Sequence, residues 1–422
     1  MVRSIDMTYM QTVLGFFFGY ILIAKVLLPL YYKLQLTSIY SYLDDRIGQH
    51  SYKTGASFFL LSKIVGAAAR LYLVVVILQH YVFAYWNISF AVTVVISIFL
   101  VWLYTYRGGI KTIIWTDTLQ ALCLVAMLIV IIWQVKDKMQ LDFVGMVQTL
   151  QASQHFRIFE FGDWHSTQHF MKQFFSGIFI TIVMTGLDQD MMQKNLTCRN
   201  LREAQKNMCA YGACFLPVNL LLLALGILLY TLCAARGIQP PSSGDALLPM
   251  LVSSGALGFF FVIPFCISIV AAAFSSADSA ITSLTTSVCI DLLHLEDRVN
   301  DAERQRKIRR RIHLTMCLAF LLCIIIFRAL NDTSVINAIY VMASYTYGPL
   351  LGLYAFGLFT RQAASDCRVP YVCIAAPLIC ALLDWGAPRW WQYTFGYELL
   401  MLNGLITFFG LLVFCRKRQK AF

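Results

Sequence analysis

An all-α polytopic membrane protein is the fold class this sequence predicts, and three observations carry that reading. Hydrophobic residues fill 59% of the 422 positions and charged residues only 13%, with a mean hydropathy of +0.68, which leaves too little polar surface for a soluble globule. The apolar residues are gathered into windows long enough to cross a bilayer. The polar residues inside those windows are of types that hold ions: hydroxyls, carboxylates, lysines and an arginine.

Reading windows of about 17 to 25 mainly apolar residues gives eleven expected spans: 12–32, 56–79, 88–105, 109–135, 171–187, 207–233, 257–290, 313–328, 335–358, 368–384 and 398–415. The first opens at the apolar run beginning with Val13 and passes Lys25 and Pro29. Gly108 and Gly109 break the chain before the fourth, and the polar stretch 136–170 comes after it as an external loop. The fifth ends where Gly186-Leu-Asp-Gln-Asp190 turns abruptly polar, with Asp188 and Asp190 placed to cap the next helix. A basic loop, 294–312, separates the seventh from the eighth. Gly348 and Pro349 fall inside the ninth, where a helix must loosen and expose main-chain groups. The whole chain, 1–422, reads as one transmembrane domain.

The net charge of +11 is arranged by loop. Alternate loops carry Lys33, Arg46 and Lys53; Arg107 and Lys111; Lys194 to Lys206; Arg304 to Arg311; Arg361 and Arg368; and the tail 416–422, whereas the intervening loops are poor in lysine and arginine. The positive-inside rule makes the first set cytoplasmic, the C-terminus included. The charge excess is therefore topology and argues for a lipid bilayer as partner, not nucleic acid. Thirteen scattered cysteines form no CxxC pair, and the sequence holds no HExxH, P-loop or GxSxG motif, so metal enzymes, nucleotide-driven pumps and hydrolases lack support. The chain is not expected to be an enzyme. No feature fixes an oligomeric state.

In Ala271-Ala-Ala-Phe-Ser-Ser-Ala-Asp-Ser-Ala280, residues Ala272, Ser275, Ser276 and Ser279 recur at helical spacing, with Asp278 beside them. Such oxygens suit a hard monovalent or divalent cation; the alternative is a close helix contact through small residues. Asp117 falls two turns inside the fourth span, either as an ion ligand or as an interfacial partner of Lys111 or Arg107. Lys25 and Lys63 read as snorkelling lysines. Arg70, among Ala67-Ala-Ala69, lies too deep to snorkel, and it is placed either to clamp a carboxylate or to neutralise one from a helix.

Gly108-Gly-Ile-Lys-Thr-Ile-Ile-Trp-Thr-Asp-Thr-Leu-Gln120, Asp188-Gln-Asp-Met-Met-Gln-Lys194, Ala272-Ala-Phe-Ser-Ser-Ala-Asp-Ser279 and Tyr347-Gly-Pro-Leu-Leu-Gly352, in that order, resemble blocks of the sodium:solute symporter family. The resemblance implies a LeuT-type inverted-repeat fold with alternating access about a midplane site. It implies sodium ion at Ala272, Ser275 and Ser276, and a second sodium at Asp117 with Asp278, Ser276 and Ser279. It places Arg70, Thr181, Met184 and Tyr345 at the solute. Val13 and Met184 stand where the sugar carriers have an acidic residue and a gating tyrosine, which turns the expected solute towards a carboxylate such as a sialic acid, with a sugar as the other choice. The family has two helices ahead of the span that starts here, so the resemblance also implies a chain shortened at its N-terminus. The expected function is sodium-coupled import of a small polar solute across the plasma membrane, bacterial inner membrane included; a solute sensor or non-transporting fragment is the alternative.

Overall fold

A computed structural model describes residues 2–36, 38–79, 83, 86–105, 110–241, 244–258, 262–330 and 335–416. They are almost wholly helical. The spans are α1 (Tyr9–Leu34), α2 (Gln49–Leu78), α3 (Phe90–Thr105) and α4 (Ile110–Lys138). After the loop with its short helix Phe143–Ala152 come α5 (Phe170–Gly186), bent by 67° into the short α6 (Gln189–Leu196), and α7 (Leu201–Ala235). Next come α8 (Val262–Ser287, prolonged by a π-helical turn Val288–Leu292), α9 (Ala302–Leu330), α10 (Val335–Thr346), α11 (Gly348–Phe359), α12 (Val369–Trp390) and α13 (Leu399–Val413). Among the described residues seven of these helices, or eight with α5 and α6 taken as one bent span, are long and apolar enough to cross a membrane, and shorter apolar helices fall in the expected windows of α3, α11 and α13. The Gly108-Gly109 break and the end of the tail, residues 417–422, lie outside the described residues.

Several helices outrun their apolar windows, because polar residues continue the helix beyond the hydrocarbon. α2 starts at Gln49 rather than Ala56, and α9 takes in the basic run from Arg304 to Arg311. At the head of α7, Asn200 accepts the Glu203 N–H at 2.9 Å, which satisfies one of the first-turn donors that a helix leaves unpaired. A two-residue antiparallel pairing of Ala363–Ala364 with Cys415–Arg416 ties the start of α12 to the end of α13.

α2 runs through the middle of the bundle and packs on α8, α9 and α10. Without a hydrophobic drive between helices in lipid, close approach depends on small residues. α1 and α5 meet through Gly15, which lies against the Phe174 carbonyl, and Gly177, which lies against the Thr12 carbonyl. The Thr12 hydroxyl donates to the Gln173 side chain across the same contact. At the α5–α6 bend, main-chain carbonyls leave the helical ladder and must be met elsewhere. Tyr31 donates to the Gly186 carbonyl at 2.9 Å and Tyr40 to that of Leu187 at 2.7 Å.

Because backbone cannot give way, Gly15→Leu is expected to cost more than the ~1–3 kcal/mol of ordinary overpacking and to lower the melting midpoint and folded yield in detergent. Gly66→Ala is the control, since a Cβ at that position would meet no heavy atom of the described residues within 4 Å. A Gly15→Leu protein as stable as the control would refute the contact.

Candidate functional site

Charged side chains meet where α5 turns into α6. Asp188 caps α6 by accepting the N–H groups of Asp190 at 3.0 Å and Met191 at 3.3 Å. The same carboxylate takes both of its oxygens to 3.0 Å from Lys63 Nζ and accepts the Tyr347 hydroxyl at 3.2 Å. Lys63 also reaches Asp190 at 2.9 Å. All three charged residues are buried, with 4%, 2% and 5% of the surface of Lys63, Asp188 and Asp190 exposed. Lys63 therefore does not snorkel, and the two aspartates are more than caps. Its partners come from a segment 125 residues away, and the α5–α6 bend is what brings them beneath it. Lys25, by contrast, is exposed as expected.

The cluster continues towards α4 and α8. Lys194 lies 3.6 Å from Asp190 and 2.8 Å from Asp117, so among the described residues the partner of Asp117 is on α6; the side chains of Lys111 and Arg107, the partners expected from the sequence, lie outside the described residues. Ser275 donates to the other Asp117 oxygen. Asp278 has no exposed surface, and neither of its oxygens meets a hydrogen-bond partner of ordinary geometry among the described residues. It feels the charges of Asp117, Lys194 and Asp190. Ser279, also buried, approaches Asp190. Ala272 and Ser276 are partly buried on the same helix. The structure thus joins Asp117, Ser275, Asp278 and Ser279 into one locus, with Ser275 rather than Ser276 or Ser279 as the serine bonded to Asp117.

Among the described residues, two ammonium groups, Lys63 and Lys194, stand against four carboxylates, Asp117, Asp188, Asp190 and Asp278. A buried, uncompensated carboxylate costs several kcal/mol, roughly, and a small cation with oxygen ligands offsets that cost. The donor set is all oxygen, which fits sodium.

Arg70 sits one helix turn or more beyond Lys63 on α2. It lines a small pocket with Ser62, Lys63, Asp188 and Tyr347, and also a larger cavity of about 460 Å³ with Tyr9, Asn219, Tyr230 and several leucines of α7. Its Nε is buried and lacks a hydrogen-bond partner among the described residues. Met184 lines both spaces.

Two expected solute residues lie elsewhere. Thr181 is buried against Gly19 of α1; the π-helical turn Ile182–Gly186 between it and Met184 has more residues per turn, so the two side chains separate around the axis. Tyr345 donates to Asp384 of α12 at 2.8 Å, and its neighbour Tyr347 is the tyrosine that faces the charges. Residues two apart on a helix point to nearly opposite sides. A lysine inside an apolar window, together with an Asp-x-Asp-x-x-x-Lys segment at the following helix start, was the only trace of this cluster in the sequence.

The profile of the sodium:solute symporter family matches residues 5–366. The chain belongs to the sodium:solute symporter family. As a member it is a sodium-coupled, multi-pass membrane transporter of small solutes and not an enzyme. Among similar proteins, the sodium/sialic acid symporter NanT of Aliivibrio fischeri is 25% identical over 80% of this chain and 67% of its own length. The sodium/sialic acid symporter SiaT of Proteus mirabilis is 24% identical over 84% and 71%. The rabbit sodium-dependent multivitamin transporter is 26% identical over 82% of this chain and 54% of its own length. The symporter also shares its fold with a solved sodium-coupled sialic acid symporter in a substrate-bound outward-open state, at a TM-score of 0.79 and 19% identity over 98% of this chain and 84% of that one. The LeuT-type architecture is thereby established.

Lys63→Met is expected to destabilise this symporter by about 3–5 kcal/mol, because two buried carboxylates lose their counterion. Lys63→Met combined with Asp188→Asn and Asp190→Asn should recover part of the loss. Thermal unfolding in detergent tests this, and an additive triple mutant would count against a shared ion cluster.

Proposed function

We propose that this symporter imports a small carboxylate-bearing solute with sodium across the bacterial inner membrane, the C-terminus lying on the cytoplasmic side. The single observation that carries the solute class is Arg70, a guanidinium deep in a membrane helix that lines two cavities and whose buried Nε has no hydrogen-bond partner among the described residues. Its lysine neighbour is already committed to Asp188 and Asp190, so of the described cations lining these two cavities Arg70 is the one left to meet an anion. Arg70, Met184 and Tyr347 are the residues assigned to the solute. The relatives named for sialic acid support a carboxylate, and the basic loops support the orientation.

For sodium, the assigned residues are Ala272, Ser275 and Ser276 on α8, with Asp117, Asp278 and Ser279 supplying a second position. Asp278 supports this: its carboxylate is sealed from water and short of donors, and a cation would complete it. Sodium entering beside Asp278 and Asp117 changes the charge balance around Lys194, which also holds Asp190. Occupancy of the cation locus is thereby felt at the Lys63–Asp188 pair beside Arg70, a physical route for coupling the two cargoes.

Uptake into proteoliposomes under an inward sodium gradient, with N-acetylneuraminate and a panel of small carboxylates against neutral sugars, tests the solute class. Arg70→Gln should raise the half-saturating carboxylate concentration roughly 10- to 100-fold, the value of a charge-assisted hydrogen bond, with Arg70→Lys in between. Sodium-dependent uptake of a neutral sugar, unaffected by Arg70→Gln, would overturn the assignment.

Loss of one sodium ligand should act on the cation. Ser276→Ala is expected to raise the half-saturating sodium concentration about 5- to 10-fold, equivalent to ~1 kcal/mol, at normal surface abundance. Asp278→Asn should abolish the cooperativity of sodium activation. Sodium curves that superimpose on the wild type in both variants would remove these residues from the site.

A further inference from the structure

The break between α10 and α11 holds two tyrosines in opposite directions, and the group that maintains it comes from α13. Pro349 has no N–H, so the Tyr345 carbonyl four residues earlier loses its ordinary helical donor. Asn403, with no exposed surface, donates its Nδ2 to the Ser344 carbonyl at 2.9 Å and to the Tyr345 carbonyl at 3.0 Å. Its Oδ1 is buried and makes no hydrogen bond among the described residues. The side chain is therefore engaged only as a donor, and only main-chain oxygens take it. Gly348 lies directly against the Asn403 amide, where any Cβ would collide with it, and Gly352 packs on Thr407 in the same way one turn on. The Thr407 hydroxyl closes back onto the Asn403 carbonyl at 2.9 Å.

We propose that Asn403 is a positioning residue for the transport site. By replacing the hydrogen bonding that Pro349 removes, it fixes the break, and the break in turn aims Tyr347 at Asp188 and Tyr345 at Asp384. Asn403 lies beyond the stretch matched by the family profile, residues 5–366. A helix outside that stretch thus sets the geometry of a tyrosine that touches the Lys63–Asp188 pair.

Hydrogen–deuterium exchange of the full chain in lipid nanodiscs tests this without knowledge of the solute. Asn403→Ala should speed exchange of the amides from 345 to 352 about tenfold, the size expected for one lost buried hydrogen bond. It should also speed the amides of α6, whose cap Asp188 loses its tyrosine. Tyr347→Phe should loosen α6 alone, and Asn403→Ala added to Tyr347→Phe should loosen α6 no further. Pro349→Ala restores an N–H to the Tyr345 carbonyl, so the Pro349→Ala/Asn403→Ala protein should bring the 345–352 amides back towards wild-type exchange, while α6 stays fast because a continuous helix no longer aims Tyr347 at Asp188. A residue that merely filled space would not be rescued in this way. Unchanged exchange in Asn403→Ala, a double variant whose 345–352 amides stay as fast as in Asn403→Ala, one whose α6 returns fully to wild type, or one that fails to fold would overturn the proposal.

Discussion

Lys63 is the constraint around which this site is built. An ammonium group in the middle of a bilayer-spanning helix has no water to turn to, and its only stable arrangement is against carboxylates held at hydrogen-bond distance. Asp188 and Asp190 meet that demand together, and to do so the chain must bend sharply after Gly186. Everything at the bend serves this geometry: Tyr31 and Tyr40 take the released carbonyls, and Asp188 both caps α6 and binds Lys63. Once α6 lies there, Lys194 is carried to Asp117, and α4 and α8 are drawn into the same field.

Among the described residues the cluster holds more carboxylates than ammonium groups, and the proposed function gives that imbalance to the transported cation. A fully neutralised network would be stable and inert. Here Asp278 remains dry and, among the described residues, without a hydrogen-bond partner, beside hydroxyls on α8 and within the influence of both lysine-linked pairs. In the proposed function, a cation there and an anion at Arg70 would both act on the intervening Lys63–Asp188 pair. Coupling then needs no long-range mechanism, only shared counterions over a few side chains.

Irregular backbone occurs where helices serve the site. The π turns in α1, α5 and α8, the 67° bend and the Gly348-Pro349 break are all costly in lipid unless each freed carbonyl is met by protein. Tyrosines from the first half of the chain meet one set, and Asn403 from the last helix meets another. Glycines at the α1–α5 and α11–α13 contacts let these donors come close enough.

Spans, their order and the class of protein were legible in the sequence, because the length of an apolar window is set by the bilayer and needs no tertiary information. Four short blocks gave the family, and hydroxyls and carboxylates out of place in membrane helices marked residues that meet in space: Asp117 and Ser275 are hydrogen-bonded. Pairings of charge were not legible. Lys63 read as a snorkelling lysine and Asp188 as a cap, since nothing in their local surroundings reveals a partner 125 residues away. Nor was side-chain direction past an irregular turn, so Thr181 and Tyr345 were expected at the solute although one packs on Gly19 and the other bonds Asp384. Sequence by itself determined what must be buried and which stretches are apolar enough to enter a membrane. Tertiary structure alone decided which buried charges neutralise one another, because in a medium without water a charge takes its partner from whichever helix is near in space.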